Sequence, residues 1–185
     1  MTAAGYWACA DALLLFGLLL LRRPTLVKGT SMLPTVRDRE LLWLDVTPWR
    51  GKRPERGQIV VLWNPERKRL GPRALRRHRL PVLFLLKRVI ALGGDTVEVR
   101  EGVLYLNGEP QEEPWLRHDR INPAGRDFAP VTVPSGMCFV LGDNRMVSRD
   151  SRRFGCVPVT SVCGSALRVL WPPDRARRLR QKDTD

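Results

Sequence analysis

The sequence has little histidine and little cysteine. Among 185 residues the only histidines are His78 and His118. The four cysteines are Cys9, Cys138, Cys156 and Cys163. No pair has the C-x-x-C spacing of a zinc site, so neither a metal centre nor a cofactor is predicted. Cys138, Cys156 and Cys163 lie far from the N-terminus and allow at most one disulfide among themselves. The sequence does not decide whether that disulfide forms.

One apolar run approaches the length of a membrane span. Residues 6–21 read YWACADALLLFGLLLL, with Asp11 as the only charge, and two arginines follow. Together with the uncharged residues 1–5, the run nears the ~20 residues that a spanning helix needs. A cleaved export signal would have a basic start and small residues after the run, which this segment lacks. The sequence therefore predicts a membrane anchor over residues 1–23, with a buried core helix as the alternative.

Positive charge exceeds negative charge. The chain has 32 lysines and arginines against 19 acidic residues, a net charge of +13, which favours an anionic partner such as a lipid surface or nucleic acid. Signals for nucleic-acid binding, such as a zinc-finger spacing or a helix-turn-helix, are missing, so we expect membrane lipid as the partner. Arg22 and Arg23 would hold the following domain in the cytoplasm by the positive-inside rule. Long domains can nevertheless cross despite such charges, so charge alone leaves the orientation open.

The rest of the chain has the pattern of a β-rich domain. Short runs rich in valine, leucine and isoleucine alternate with glycine, proline and asparagine signals. The predicted strands are residues 41–46, 58–63, 83–92, 96–100, 103–107, 132–134, 138–142 and 166–171. We therefore expect a mainly β fold, a folded sheet or barrel, over residues 24–173. Residues 64–80 are predicted to be a basic insertion and 111–128 a polar surface loop. Residues 174–185 are predicted to be a charged tail, disordered or lying on a membrane surface.

Two residues could form a nucleophilic pair. Ser31 lies in KGTSMLPT, residues 28–35, shortly after the apolar run. A serine hydroxyl needs a base to accept its proton, and both histidines lie in charged loops. Lys87, in the apolar stretch LPVLFLLKRVIAL, is the other candidate, because desolvation lowers the pKa of a buried lysine. Taken alone, a lysine in a strand is more often an edge residue that faces water.

Three motifs carry a resemblance to a known family. SMLPT, KRVIALGGD and GDNRMVSRDSRRFG are similar to signature boxes of the type I signal peptidases, in that family's order, with RGQIVVL between the first two. The resemblance implies a membrane-bound serine endopeptidase that uses a Ser–Lys dyad to remove N-terminal signal peptides from exported preproteins. It also implies a single-pass protein of the bacterial cytoplasmic membrane, with a β-rich catalytic domain on the outer face. An organellar inner membrane is compatible with the same boxes.

The resemblance assigns catalytic roles to single residues. Ser31 matches the nucleophile, Lys87 its general base, and Ser148 the serine that hydrogen-bonds and orients that lysine. Some members have a serine two positions before the nucleophile, whose hydroxyl helps to bind the oxyanion, but this chain has Gly29 there. The backbone N–H of Ser31 is therefore the expected oxyanion donor.

Other residues receive supporting roles. Asp150 and Arg152 match an ion pair that braces the site, and Asp143 lies in the turn that holds it, followed by Asn144 and Arg145. Met32 and Leu33, beside the nucleophile, are candidates for substrate binding, together with the apolar residues 82–86. The family commonly has Arg-Gly-Asp before its second strand, whereas this chain has Gln58 in place of the aspartate.

Two other functions remain open at this point. A catalytically inactive membrane-bound relative would keep the fold and lose the dyad. A self-cleaving repressor would also use a Ser–Lys dyad on a related β scaffold, but it would need an N-terminal DNA-binding module where this chain has an apolar run. The natural precursors and the oligomeric state are not decided by the sequence.

Overall fold

The structure, a computed structural model, describes residues 22–46, 54–66, 84–116 and 127–179. Most of the predicted anchor and of the basic insertion therefore lies outside the described residues, as do His78 and His118. Within these ranges, no helix is both long enough and apolar enough to cross a membrane.

The described residues form twelve strands. They are β1 Arg22–Leu26, β2 Leu41–Asp45, β3 Ile59–Trp63, β4 Phe84–Leu92, β5 Thr96–Arg100, β6 Val103–Leu106, β7 Glu109–Pro110, β8 Phe128–Thr132, β9 Met137–Leu141, β10 Val157–Pro158, β11 Val162–Trp171 and β12 Arg177–Arg178. A one-turn helix, α1, spans Ser151–Phe154, and 3-10 turns span Val159–Ser161 and Pro173–Arg175. The predicted mainly β fold is confirmed.

The strands belong to two antiparallel sheets. The larger has the order β1-β2-β11-β3-β4-β9-β10, with β12 also paired to β11, and the smaller has the order β7-β6-β5-β8. Register shifts interrupt the pairing of β11 with β2 and β3 and that of β4 with β9. Because such bulges bend a strand and increase its twist, the larger sheet curls.

Apolar side chains of the two sheets form the core that places β4 in the interior. Ile90 of β4 and Phe139 of β9 pack against Val97 and Leu104 of the smaller sheet. A separate cluster packs on Val60, Val89 and neighbouring side chains of β3, β4, β9 and β11. Residues 87–91 of β4 are consequently all buried, although two of them carry charge.

Several strand boundaries differ from the prediction for identifiable reasons. β8 lies at Phe128–Thr132 rather than at 132–134, and it includes Pro130, which is tolerated because β8 is an edge strand. β11 begins at Val162 and runs through Gly164, where a Cβ would lie 2.4 Å from the Asp45 carbonyl oxygen. This glycine marks a close approach of two backbones rather than the end of a strand.

The start of the predicted tail is part of the fold. The tail was expected to be disordered or on a membrane surface from residue 174, but Arg177 and Arg178 pair with β11 as β12. Leu179 is 5% exposed and packs in the cluster that also contains Leu42 and Val169. The expectation is therefore wrong for residues 174–179, because one leucine among the charges has a site in the core.

The described cysteines are free thiols. Cys138 is buried, whereas Cys156 and Cys163 are partly exposed. Burial raises the pKa of Cys138 to about 12 and also raises the pKa of Cys156. The thiols of Cys138 and Cys156 are thus protonated at neutral pH and act as small apolar groups.

Candidate active site

The fold brings Ser31 and Lys87 into contact across 56 sequence positions. Lys87 lies in the middle of β4 and is 2% exposed, and Ser31 lies in the loop between β1 and β2. The Nζ atom of Lys87 is 2.8 Å from Ser31 Oγ and 2.9 Å from the carbonyl oxygen of Leu86. A serine hydroxyl within hydrogen-bond reach of an amine is the geometry that proton transfer needs.

The surroundings of Lys87 favour its neutral form. The pKa of Lys87 is lowered from 10.5 to about 8, mainly by burial and to a smaller extent by the positive charge of Arg152. The carboxylates of Asp150 and Asp143 act in the opposite direction, but desolvation is the larger effect. The lysine is therefore neutral in a substantial fraction of molecules at mildly alkaline pH.

The Ser31 loop is fixed by the turn that follows β9. Asn144 donates from its backbone N–H to the Ser31 carbonyl oxygen at 3.0 Å and from its side chain to the Thr30 carbonyl oxygen at 3.1 Å. Gly29, two residues before Ser31, has a φ of 109° and donates its N–H to Asp38 at 2.7 Å. Because L side chains rarely adopt this φ, the backbone itself favours glycine where some family members have serine.

The lack of a side chain at Gly142 allows Ser31 and Ser148 to pack closely against the turn that follows β9. A Cβ at this position would lie 2.1 Å from Ser148 Oγ and 2.5 Å from the Ser31 carbonyl oxygen. No side chain fits there unless the site moves apart. Gly142 also donates its N–H to Asp150 Oδ2 at 3.0 Å, which links the turn to the acidic residue beyond it.

A buried ion pair holds Asp143. Arg88 donates to both carboxylate oxygens of Asp143, at 2.9 and 2.7 Å, and both side chains are fully buried. Arg88 also donates to the Gly57 carbonyl oxygen at 2.6 Å, and Thr35 donates to Asp143 at 2.5 Å. Sequence reasoning assigned Asp143 to the turn but missed Arg88 and Thr35. The available signal was the position of Arg88 in an apolar strand, where a buried charge needs a partner.

The predicted pair of Asp150 and Arg152 is present. Arg152 donates to the two Asp150 oxygens, each at 2.9 Å, and Asp150 also caps the first turn of α1. Ser151 accepts a hydrogen bond at 2.9 Å from the Val140 N–H of β9. These contacts fix α1 against β9 and keep a carboxylate close to Lys87.

Ser148 lies at the site without the predicted hydrogen bond. Its Oγ atom is buried and has no hydrogen-bond partner among the described residues. In this arrangement the lysine amine bonds to Ser31 and to the Leu86 carbonyl instead. The structure thus brings Ser148 next to Gly142, but it does not show Ser148 orienting Lys87.

Among the residues that the structure describes, no group of three or more His, Cys, Asp or Glu side chains is arranged to hold a metal ion.

Comparison with known proteins places these features in a family. The family described as signal peptidase, peptidase S26, matches residues 3–171. The chain belongs to this family. The resemblance inferred from the three motifs is confirmed, and membership supports a serine endopeptidase acting on the signal peptides of preproteins.

Several individual proteins that are similar to this chain are signal peptidases. Signal peptidase I from Mycobacterium tuberculosis (strain CDC 1551 / Oshkosh) is 35% identical, over 83% of this chain and 66% of that protein. Signal peptidase I from Bacillus licheniformis is 36% identical, over 84% of this chain and 80% of the relative. Signal peptidase I S from Bacillus subtilis (strain 168) is 33% identical, over 93% of this chain and 91% of that protein. A crystal structure of a signal peptidase I from Enterococcus faecalis V583 is 35% identical and covers 62% of this chain and 97% of its own, with a TM-score of 0.47.

An apolar groove reaches Leu86, the residue before Lys87. The groove has a volume of about 490 Å³ and is lined by residues of β1 to β4, including Leu26, Leu44, Phe84, Leu85 and Leu86. Phe84, Leu85 and Leu86 belong to the apolar residues 82–86, which the sequence predicted as candidates for substrate binding. Met32, also proposed, is 2% exposed and packs in the core, and Leu33 does not line the groove.

Proposed function

We propose that this protein cleaves signal peptides from exported preproteins, with Ser31 as the nucleophile and Lys87 as the general base. The observation that carries the proposal is the 2.8 Å contact between Nζ of Lys87, in the buried part of β4, and Oγ of Ser31. The lowered pKa of Lys87 provides the second requirement, a base that is neutral near the working pH.

The reaction is an acyl transfer in two stages. The neutral amine of Lys87 accepts the Ser31 proton while Oγ bonds to the scissile carbonyl carbon, and the backbone N–H of Ser31 stabilises the oxyanion. As the intermediate collapses, the C–N bond breaks and the lysine ammonium returns its proton to the leaving amine. Water, deprotonated by Lys87, then attacks the acyl-enzyme, releases the signal peptide as a carboxylic acid and restores the Ser31 hydroxyl.

The remaining predicted residues support this pair. Asp143 and the Asp150–Arg152 pair hold the turn against Ser31 and keep negative charge near Lys87. Ser148 is proposed to hydrogen-bond the lysine when substrate is bound, which its buried and unpartnered hydroxyl favours. Such tightening is expected, because catalytic hydrogen bonds are often incomplete without substrate.

The apolar groove is proposed to bind the end of the signal peptide. It is lined by Leu86, the residue before the base, and by Leu26 of β1 and Leu44 of β2. Apolar walls match the apolar character of an export signal. The family resemblance adds an expected preference for small residues, such as alanine, at positions −1 and −3 before the cut.

We also propose that the protein is a single-pass membrane protein with its catalytic domain on the outer face. The anchor, predicted over residues 1–23, would end before Arg22, because β1 begins there, and Ser31 lies only nine positions beyond the start of the folded domain. Leu26 pairs with Leu41, which pairs with Trp171, so the three side chains share one sheet face. Leu26 is 52% exposed and Trp171 58% exposed, which suits a membrane interface.

Cleavage of a labelled precursor with an Ala-x-Ala site tests this proposal on the full chain in detergent micelles. Ser31→Ala and Lys87→Ala are each expected to lower kcat by at least ~10³-fold, since nucleophile and base act as a unit. Ser135→Ala, an exposed serine in the turn before β9, is the matched control and should leave kcat unchanged.

The outcomes separate this proposal from its alternatives. A parent protein that folds but cleaves no precursor would favour the catalytically inactive relative. Cleavage of the chain itself, with precursors left intact, would favour the self-cleaving repressor type. Retention of activity in Ser31→Ala or Lys87→Ala would remove the dyad from the mechanism.

A further inference from the structure

Residues 111–116 form a strap that the sequence placed in a surface loop, but part of it is deeply buried. Its first residue, Gln111, donates its N–H to the Leu104 carbonyl of β6, and Leu116 donates to the Glu113 carbonyl, each at 2.8 Å. Glu113 is 2% exposed, whereas its neighbour Glu112 is exposed. One of two adjacent carboxylates therefore points inward, and a buried carboxylate needs a partner.

The partner of Glu113 is Arg145 in the turn after β9. Arg145 Nη1 donates to Glu113 Oε2 at 3.0 Å, Nη2 donates to Oε1, and the Arg145 side chain is fully buried. The same guanidinium donates from Nε to the Gly142 carbonyl oxygen at 3.0 Å. Gly142 is the residue against which the Ser31 carbonyl and the Ser148 hydroxyl lie. Three contacts thus connect the Glu113 carboxylate to the nucleophile loop.

The strap also contacts the second arginine of the site. The guanidinium carbon of Arg88 lies 4.2 Å from the ring centre of Trp115, while its nitrogens bind Asp143. Glu113 and Trp115 are two positions apart and face the two cations that hold residues 142–145. The strap therefore contacts both arginines that bond to Gly142 and Asp143.

We propose that Glu113 is a positioning residue for the reaction. Through Arg145 it sets the position of residues 142–145 and hence of Ser31 relative to Lys87. A buried ion pair is weak evidence for stability, because desolvation offsets much of the attraction. The two parallel hydrogen bonds from Arg145 to Glu113 nevertheless fix the orientation of the guanidinium. This inference rests on the proposed peptidase function and adds to it a residue outside the three motifs.

The kinetic test uses the full chain in micelles and compares Glu113→Gln with Glu112→Gln, its exposed neighbour. Glu113→Gln should lower kcat by about 10- to 100-fold, the range expected when reacting groups are misplaced by about 1 Å. KM should change little, because the substrate groove is lined by β1 to β4 and not by the strap. Glu112→Gln should match the parent in both constants.

A double variant separates positioning from stability. Arg145→Gln should lower kcat by at least as much as Glu113→Gln, and Glu113→Gln/Arg145→Gln should have the kcat of Arg145→Gln, because Glu113 acts through that arginine. Its melting temperature should recover relative to Glu113→Gln, since no unpaired charge remains buried. A kcat that recovers together with the melting temperature, or effects on kcat that simply add, would overturn the proposal.

A structural readout keeps this inference distinct from the proposed function. In crystal structures, the distance from Lys87 Nζ to Ser31 Oγ should lie within hydrogen-bond range in the parent and exceed ~3.5 Å in Glu113→Gln. This comparison of distances is valid even if the parent cleaves no precursor. A lack of cleavage would count against the proposed peptidase function, but not against the positioning role of Glu113. An unchanged distance in a folded Glu113→Gln protein would refute the positioning role.

Discussion

At the scale of single residues, the central property is the protonation state of Lys87. Its amine is buried between apolar strands, yet two carboxylates lie close enough to raise its pKa. Had these carboxylates prevailed, the side chain would remain an ammonium and could not accept a proton from Ser31. Desolvation prevails, and the pKa falls to about 8.

The pH dependence of catalysis should follow from this value. Because the neutral amine is the active form and its pKa is lowered from 10.5 to about 8, kcat/KM should rise as pH increases through about 8 and level off above it. Lys87→Arg should stay inactive across this range, since a guanidinium does not deprotonate. The measurement is a pH–rate profile on a soluble peptide, and a flat profile between pH 6 and pH 10 would exclude lysine as the base.

At the scale of elements, strands depend on partners that lie far along the chain. β12 consists of two arginines, which no strand pattern would identify, and it forms because β11 presents a free stretch of backbone to pair with. The arginine just before it, Arg175, pairs with the buried Glu40, 135 positions away. The segment that looks like a charged tail is therefore held by a strand pair, by ion pairs of Arg175 and Arg177 with Glu40, and by one buried leucine.

Removal of the leucine tests whether this segment belongs to the folded domain. Leu179→Ala should lower the free energy of unfolding by about 2–5 kcal/mol, as for other buried leucines. Arg178→Ala, at the exposed neighbouring position, should change it by less than about 0.5 kcal/mol. Chemical denaturation of the full chain in micelles measures both, and equal small effects would show that residues 174–179 pack only loosely.

At the scale of the whole molecule, one outer face combines apolar and basic side chains. Leu26, Leu41 and Trp171 form a row across β1, β2 and β11. On the same sheet, the exposed side chains of Arg168 and Arg178 stand opposite each other on paired strands. With a net charge of +13, this face suits an interface that has acyl chains and anionic headgroups.

This face should matter only when the substrate is in a membrane. Trp171→Ser is expected to lower cleavage of a precursor inserted in anionic vesicles several-fold, because the enzyme loses an interfacial contact there. Its activity on a soluble peptide in micelles should be unchanged. Val103→Ser, at an exposed apolar position of the smaller sheet, is the matched control for vesicles. A Trp171→Ser protein as active as the parent on vesicles would show that the face has no membrane role.

The sequence by itself determined the class of fold and most of the strands, and its motifs predicted Ser31 and Lys87 as the reacting pair. These features are encoded locally: a short apolar run identifies β3, apolar alternation identifies β5, and the motifs around Ser31 and Lys87 are continuous stretches of chain. The burial of Lys87 could be anticipated for the same reason, because most of its neighbours in β4 are apolar. The division into an anchor, a catalytic domain and a tail stays a prediction for the residues outside the described ranges.

Only the tertiary structure decided which buried charges meet and which surfaces stay open. Arg88 finds Asp143 at a separation of 55 positions, and Arg145 finds Glu113 at 32, through strands whose order in the sheets differs from their order in the chain. The same packing buries Met32 in the core and leaves Leu26 exposed, although both are apolar. A local pattern reports how apolar a segment is, but the partner of a buried charge is set by the packing of distant elements, which the pattern does not contain.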